Sequence, residues 1–315
     1  MKSRIQTLLN KPQFFKIIIS SKNSIQYTLE NPSQVLIGNI YVNWLRYLHL
    51  KTHKFMPTYI QKVPEKTKVQ SLPFGIICHN ELDFRNKTME YEFESYARKS
   101  DLEVKLIIPQ QDTMKYFIQW QRYRKYWWSS ITTTPSLFAI GDIKQGNKES
   151  SAEIIAKLPC GAHTVECIKI KNCERSACLT CAMSLEQALF ILLLDGSNDP
   201  KDEYLRLHRK IAPYKMSFAL DFEDLKHKEN LKDLAALLYH RLNLENISAT
   251  LPDFSINSND QINENLHIGI PYTAILNDTT LENGILHLMN SSTMLKEQVH
   301  VADFHTYAAL ICSDK

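Results

Sequence analysis

The chain predicts a mixed α/β protein in two parts, an α+β N-terminal part and an α/β C-terminal part. Three observations carry this. From Tyr214 onward, apolar runs of strand length alternate with amphipathic helical stretches, the pattern of a sheet layered with helices. Upstream, short apolar runs of strand length flank a long aromatic-basic helix. Between the two lies Asp195–Asp202 (DGSNDPKD), whose turn formers and charges suit a linker. The 315 residues, 44% hydrophobic and 23% charged, fit about two domains with a buried core.

Taken in order, residues 34–50 read as a buried helix with Val35, Ile40, Trp44, Tyr47 and Leu48 near helical spacing. Residues 51–72 are basic, polar and proline-containing, and read as a loop. Phe74–Cys78 and Leu102–Ile108 read as strands, the second ended by Pro109. Asp112–Ile131 is the aromatic-basic helix, with Phe117, Trp120, Tyr123, Trp127 and Trp128 near one face. Residues 141–152 read as a polar loop, Val165–Ile170 and Ala177–Met183 as strands, and Leu185–Leu194 as a buried helix.

Beyond the linker, Tyr214–Leu220, Ile247–Leu251 and Tyr272–Asn277 read as strands. Leu231–Leu242 reads as a helix with Leu234, Leu237, Leu238 and Leu242 inward, and Ile262–Leu266 as a short helix. Thr279–Asn283 makes about one helical turn. Gly284 sits where a left-handed residue ends it, and Ile285–Met289 returns as a strand.

The charge is uneven. Residues 1–130 hold 20 Lys+Arg against 10 Asp+Glu, and residues 131–315 hold 17 against 24. A basic and an acidic half suit different partners, or a solvated basic face with no ligand. The longest apolar run, Ala188–Leu194, is far short of the roughly 20 residues of a membrane span, so a soluble protein with no membrane partner is expected. The first acidic residue is Glu30. Lys2, Arg4, Lys11, Lys16 and Lys22 precede it, a composition that fits a mitochondrial transit peptide or a plain surface N-terminus.

Seven cysteines, an odd number without a secretory signal, argue for a reducing compartment rather than a disulfide framework. Cys160, Cys167, Cys173, Cys178 and Cys181 lie close together, with His163 among them. Cys178 and Cys181 have the spacing of a zinc half-site, but a second such pair is missing. A strand over Ala177–Met183 would also turn the two to opposite faces, so buried thiols and no metal are expected. No phosphate-cradling glycine loop and no HExxH occur, and nothing marks a nucleophile.

Three blocks carry a resemblance: Leu207-His208-Arg209-Lys210-Ile211-Ala212-Pro213, then Gly269-Ile270-Pro271-Tyr272-Thr273-Ala274-Ile275-Leu276, then Thr280-Leu281-Glu282-Asn283-Gly284-Ile285-Leu286-His287-Leu288. Together they resemble the C-terminal domain of the accessory (processivity) subunits of mitochondrial DNA polymerase gamma. That domain is related to the anticodon-binding domain of class II, glycyl-type aminoacyl-tRNA synthetases. Phe84-Arg85-Asn86-Lys87 resembles the second class II signature, in which the arginine holds the ATP α-phosphate and a glutamate, here Lys87, receives the adenine amine. Ser184-Leu185-Glu186-Gln187 resembles the third signature. Met183 stands there in place of glycine, and Gln187 in place of the arginine that binds the γ-phosphate. A neutral glutamine cannot offer that arginine's bidentate charge-assisted bonds.

The resemblance implies a degenerate class II synthetase-like antiparallel sheet domain over 31–198 and an anticodon-binding-like mixed-sheet α/β domain over 199–315. Residues 1–30 would be a mitochondrial targeting or N-terminal segment. It implies no catalytic residue and no cofactor. The implied partners are the polymerase catalytic subunit and primer-template DNA in the mitochondrial matrix nucleoid, with raised processivity as the outcome. The expected partner surface is an exposed apolar edge made by Thr280, Leu281, Glu282, Asn283, Gly284, Leu286 and Leu288, able to accept a helix. Expected nucleic-acid contacts are Arg122, Arg124, Lys125, Arg209 and Lys210; the alternatives are core packing for the tryptophan helix and a solvated cluster for residues 208–210. Phe74 to Pro109 leaves no room for the helical insertion that builds the vertebrate homodimer, so a monomer forming a one-to-one complex is expected. The rival readings are a tRNA-binding protein derived from a class II synthetase and a residual aminoacyl-tRNA synthetase.

Overall fold

The computed structural model describes residues 2–54, 56–60, 72–80, 83–85, 87–92, 100–147, 149–197 and 204–313. Most of the expected loop 51–72, residues 198–202 of the expected linker and Asn86 lie outside them. The chain divides into two compact units, Met1–Asp195 and Gly196–Lys315.

The first unit opens with α1 (Lys2–Leu9), β1 (Phe15–Ser20), β2 (Ser24–Leu29) and α2 (Asn31–Thr52). Then come β3 (Thr58–Ile60), β4 (Phe74–His79), β5 (Met89–Glu92), β6 (Leu102–Pro109) and α3 (Thr113–Ser130). It continues through β7 (Phe138–Ile140), β8 (Lys144–Gln145), β9 (Glu149–Leu158), β10 (Gly161–Asn172) and β11 (Ser176–Met183) to α4 (Leu185–Gly196). An eight-stranded sheet runs β3-β4-β6-β11-β10-β9-β7, with β8 on β9. All its pairs are antiparallel except β3 with β4. The expected antiparallel domain is therefore present.

Alternation fixes which face is covered. In β6, Leu102, Val104, Leu106 and Ile108 are buried; in β11, so are Ala177, Leu179, Cys181 and Met183. The opposite face is polar and pairs its own charges: Lys105 with Glu103 at 2.8 Å, Lys144 with Glu153 at 3.1 Å and Lys169 with Glu149 at 3.5 Å. Such half-exposed pairs add little stability. Cys178 and Cys181 lie on opposite faces of β11, as the strand period requires. Residues 149–152, read as loop, belong to β9, because its pairing with β10 reaches back to Glu149.

Within the expected targeting or N-terminal segment, Ile5, Leu8, Phe14, Phe15 and Tyr27 are buried in this unit. Phe15 stacks on Phe190 of α4 with ring centroids 5.5 Å apart, and Tyr27 and Tyr91 meet the same ring edge-on at 5.9 and 5.1 Å. The Tyr27 hydroxyl also donates to Glu186. Helix α2 starts with a proline in its first turn. Leu36, Ile40, Trp44 and Leu48 make its buried stripe, and Ser33 Oγ donates to the Phe14 carbonyl at 2.7 Å.

The second unit holds β12 (Met216–Asp221), α5 (Leu225–Leu244), α6 (Ser258–Ile268), β13 (Tyr272–Asn277) and α7 (Asp278–Asn283). It closes with β14 (Ile285–Asn290), β15 (Lys296–His300) and α8 (Phe304–Cys312). The sheet order is β12-β13-β14-β15, parallel between β12 and β13 and antiparallel beyond, the expected mixed sheet. Phe218, Leu220, Leu238, Leu276, Leu286, Leu288 and Phe304 belong to its core. Ile247–Leu251, expected as a strand, makes only the bridge of Ala249 to Met216. On α5 the inward set is Leu231, Ala235, Leu238 and Leu242; Leu237, expected inward, is 48% exposed because it falls one residue off that stripe.

Candidate functional site

Helix α3 meets the core through Phe117, Trp120, Trp127 and Trp128, none more than 2% exposed. Trp127 Nε1 donates to Asn43 Oδ1 at 2.9 Å, which ties α3 to α2. Arg124 must be corrected: expected as a nucleic-acid contact, it is fully buried. At the spacing of three and four that carries the aromatics, it falls on their face and goes inward with them. Its Nε donates to Glu166 Oε1 at 2.6 Å, and Trp128 Nε1 donates to Glu166 Oε2 at 2.8 Å. Its guanidinium lies 4.4 Å from the Trp127 ring centroid. Arg122 and Lys125 point the other way. Both are exposed, and neither pairs with a carboxylate among the described residues.

The positions that resemble synthetase signatures are engaged within the chain. Arg85 is exposed and grips Asp83 with two bonds, Nε to Oδ1 and Nη2 to Oδ2, each 3.0 Å. The Arg85 side chain and backbone N–H hold the Asp83 carboxyl down at about 2. Lys87 Nζ lies 5.9 Å from the centroid of the buried Phe84 ring. Gln187 donates to the Thr164 carbonyl at 2.5 Å, and Met183 is buried. A cavity of about 490 Å³ lies where Asn31, Gln34, Gly38 and Tyr41 of α2 face Phe84 and Arg85.

In the second unit, Arg209 is also committed. Its Nη1 donates to the Ile311 carbonyl at 2.6 Å, and Lys215 Nζ donates to the Cys312 carbonyl at 3.0 Å. Both satisfy carbonyls that the end of α8 leaves open, and both place positive charge at its negative pole. Lys210 is half-exposed beside them.

The expected partner surface divides. Asn277 caps α7: its Oδ1 accepts from the Thr280 N–H at 3.0 Å, and Thr280 Oγ1 accepts from the Asn277 N–H at 3.1 Å. Thr280, Leu286 and Leu288 are therefore corrected from surface to interior, at 3%, 0% and 2% exposure. The open apolar edge is corrected too, because β14 is paired on both sides and the rim strand is the polar β15. Leu281, Glu282 and Asn283 remain exposed. Gly284 has φ +75°, the left-handed turn its position demanded.

Asp278, at the start of α7, accepts from the Glu223 N–H and from His227 Nδ1, each at 2.9 Å. The Glu223 N–H first, then His227, hold its carboxyl below the ordinary 3.8. A depressed carboxylate stabilises the fold above its unfolded value, and that stability is lost as pH falls through the lower folded value. Below about pH 4, the urea midpoint of the native chain should therefore fall more steeply with pH than that of Asp278→Asn. Parallel curves would show that the pair contributes nothing.

The sequence reading overlooked Tyr126, 65% exposed on α3; it placed Tyr47 on the buried face of the 34–50 helix and Lys51 in a loop, whereas Tyr47 is half-buried and both lie on α2 beside Tyr126. The signal was present, since Tyr126 lies off the face that carries Phe117, Trp120, Arg124 and Trp127.

The antiparallel-sheet unit and the mixed-sheet unit that follows it fit a synthetase-like fold. Residues 211–309 match the family model described as "Anticodon binding domain". The chain superposes on prolyl-tRNA synthetase from Cryptosporidium parvum with a TM-score of 0.73 and 11% identity, over 98% of this chain and 76% of that one. At that identity the likeness concerns the fold alone. Among curated proteins, the chain is similar to gamma-2 subunits of DNA polymerase. It is 26% identical to "DNA polymerase subunit gamma-2, mitochondrial" of Drosophila melanogaster over 223 residues, 62% of each chain. It is 21% identical to the Mus musculus "DNA polymerase subunit gamma-2" over 279 residues, 76% of this chain and 60% of the mouse protein. The chain thus spans about three fifths of the length of these relatives.

Proposed function

We propose that this chain is a non-catalytic accessory subunit of mitochondrial DNA polymerase that binds the catalytic subunit and raises its processivity and its hold on primer-template DNA. The observation that carries the reading is its similarity to gamma-2 subunits of fly and mouse over most of its length. The relatives' names also support a mitochondrial location, and within it we assign the subunit to the matrix nucleoid. The geometry supports the absence of catalysis: Arg85 is held by Asp83, Lys87 stands in place of the adenine-binding glutamate, and Gln187 is spent on a backbone carbonyl. We assign residues 31–198 to the synthetase-like domain and 199–315 to the anticodon-binding-like domain, and we take the subunit as a monomer in a one-to-one complex.

The mechanism is tethering. A second surface bound to the polymerase, or added phosphate contacts, slows dissociation from DNA, so the gain lies in the off-rate. Leu281, Glu282, Asn283 and Gly284 are the residues we assign to the catalytic subunit. Arg122, Lys125 and Lys210 are those we assign to phosphates, with a salt-sensitive affinity and no sequence reading.

Co-purification with the catalytic subunit, followed by primer extension, tests this. Stable association and longer products are expected. Failure to associate, with preference for tRNA over primer-template DNA, would move the function to the tRNA-binding reading that the anticodon-binding match also supports. Amino-acid-dependent pyrophosphate exchange would move it to a residual synthetase.

A further inference from the structure

The outward face of α3 carries an exposed ring, Tyr126, and the end of α2 a half-buried one, Tyr47, that phosphate contacts do not need. Ile118, Arg122 and Tyr126 follow one another at four-residue spacing and form one outward stripe, with Lys115 and Lys125 beside it. The ring of Tyr47 stacks against Tyr126, centroids 6.4 Å apart and planes 27° apart. Lys51 Nζ lies 5.2 Å from the Tyr47 centroid and 4.8 Å from that of Tyr123. The inner rings are fixed: Tyr47 donates to the Tyr123 carbonyl at 3.0 Å, and Gln119 Nε2 donates to the Tyr123 hydroxyl at 2.6 Å. Tyr126 completes the stack and stays 65% exposed. Lys51, Lys115, Arg122 and Lys125 have no carboxylate partner among the described residues.

We propose that this surface is a base-stacking platform for single-stranded DNA, with a base on Tyr126 and flanking phosphates on Lys51, Arg122 and Lys125. Every base offers a π-face, so such a platform binds strands without reading sequence. A duplex has already stacked its bases on one another, so the ring favours a single strand. An acidic polypeptide would use the cations but gain little from the ring. The choice of DNA rests on the accessory-subunit reading; the platform itself rests on the rings and charges.

The test is fluorescence anisotropy of the full chain with labelled oligo(dT), oligo(rU) and a duplex of equal length. Oligo(dT) should bind more tightly than the duplex. Tyr126→Ala should weaken it about tenfold, whereas Tyr126→Phe, which keeps the ring, should bind as the native chain does. Arg122→Gln with Lys125→Gln should flatten the salt dependence by about 0.7 log units per log unit of salt for each phosphate no longer neutralised. Unchanged binding by Tyr126→Ala overturns the proposal. So does preference for oligo(rU), and so does loss of catalytic-subunit capture by Tyr126→Ala with oligo(dT) binding intact, which would make the face a protein interface. Capture by the native chain separates the two readings. Oligo(dT) binding without capture supports the platform and sinks the accessory-subunit reading. Capture without oligo(dT) binding sinks the platform alone.

Discussion

Glu166→Ala should lower the stability of the N-terminal unit by about 3–5 kcal/mol, the cost of breaking a buried ion pair from one side. The side chains of Arg124 and Glu166 are 0% and 1% exposed, so no water replaces the missing carboxylate. The variant leaves the guanidinium charged in the core and also strips the Trp128 N–H of its acceptor. Arg124→Ala should cost a similar amount, because it strands the carboxylate instead. Arg124→Met with Glu166→Leu should recover part of the loss, since apolar side chains of similar size replace a buried pair at little cost while the Trp128 N–H still lacks its acceptor. Urea unfolding followed by tryptophan fluorescence reads this directly, with Trp44, Trp127 and Trp128 all in the same core. A midpoint shift worth less than about 1 kcal/mol for Glu166→Ala would show that the pair is not what holds α3 to the sheet. The double variant also settles the role of Arg124: a buried structural residue should leave the salt dependence of DNA binding unchanged.

That arginine shows where sequence stops being informative. The period of α3 could be read from its aromatics, and the helix lies where the period placed it. The fate of Arg124 depended on Glu166, a partner 42 residues away. A lone arginine among tryptophans, flanked by Arg122 and Lys125, reads as part of a basic face until that carboxylate is found beneath it. The packing of the N-terminal segment was illegible for a similar reason. Its composition is basic and acid-poor, but its Phe15 and Tyr27 are anchored on Phe190, far along the chain in α4. In the second unit, local signals were enough for the turn: Asn277, Thr280 and Gly284 form the cap and its left-handed end without help from a distant residue. The neighbouring edge was misjudged because β15 (KEQVH) is a polar rim strand with too little apolar alternation to be seen. Without it, β14 looked open.

The same turn sets the last expectation. Gly284→Glu should destabilise the C-terminal unit by about 2–4 kcal/mol, combining the left-handed backbone of a residue with a Cβ and forced repacking. A Cβ built there would lie 2.6 Å from His300 Nε2, so the imidazole at the end of β15 must move. Gly284→Asn should be milder, because asparagine tolerates this conformation. Gly284→Glu therefore cannot test partner binding alone: failure to hold the catalytic subunit would follow as readily from a disordered α7–β14 turn as from damage to the binding surface itself. Leu281→Glu and Glu282→Lys separate the two causes. Both positions are exposed, with Leu281 at 36%, and neither belongs to the Asn277 cap. If the outer side of α7 receives the catalytic subunit, these variants should weaken capture while their urea midpoints stay native. Gly284→Glu should lose capture and midpoint together. Native capture by both Leu281→Glu and Glu282→Lys would remove α7 from the interface and leave Gly284 a purely structural residue.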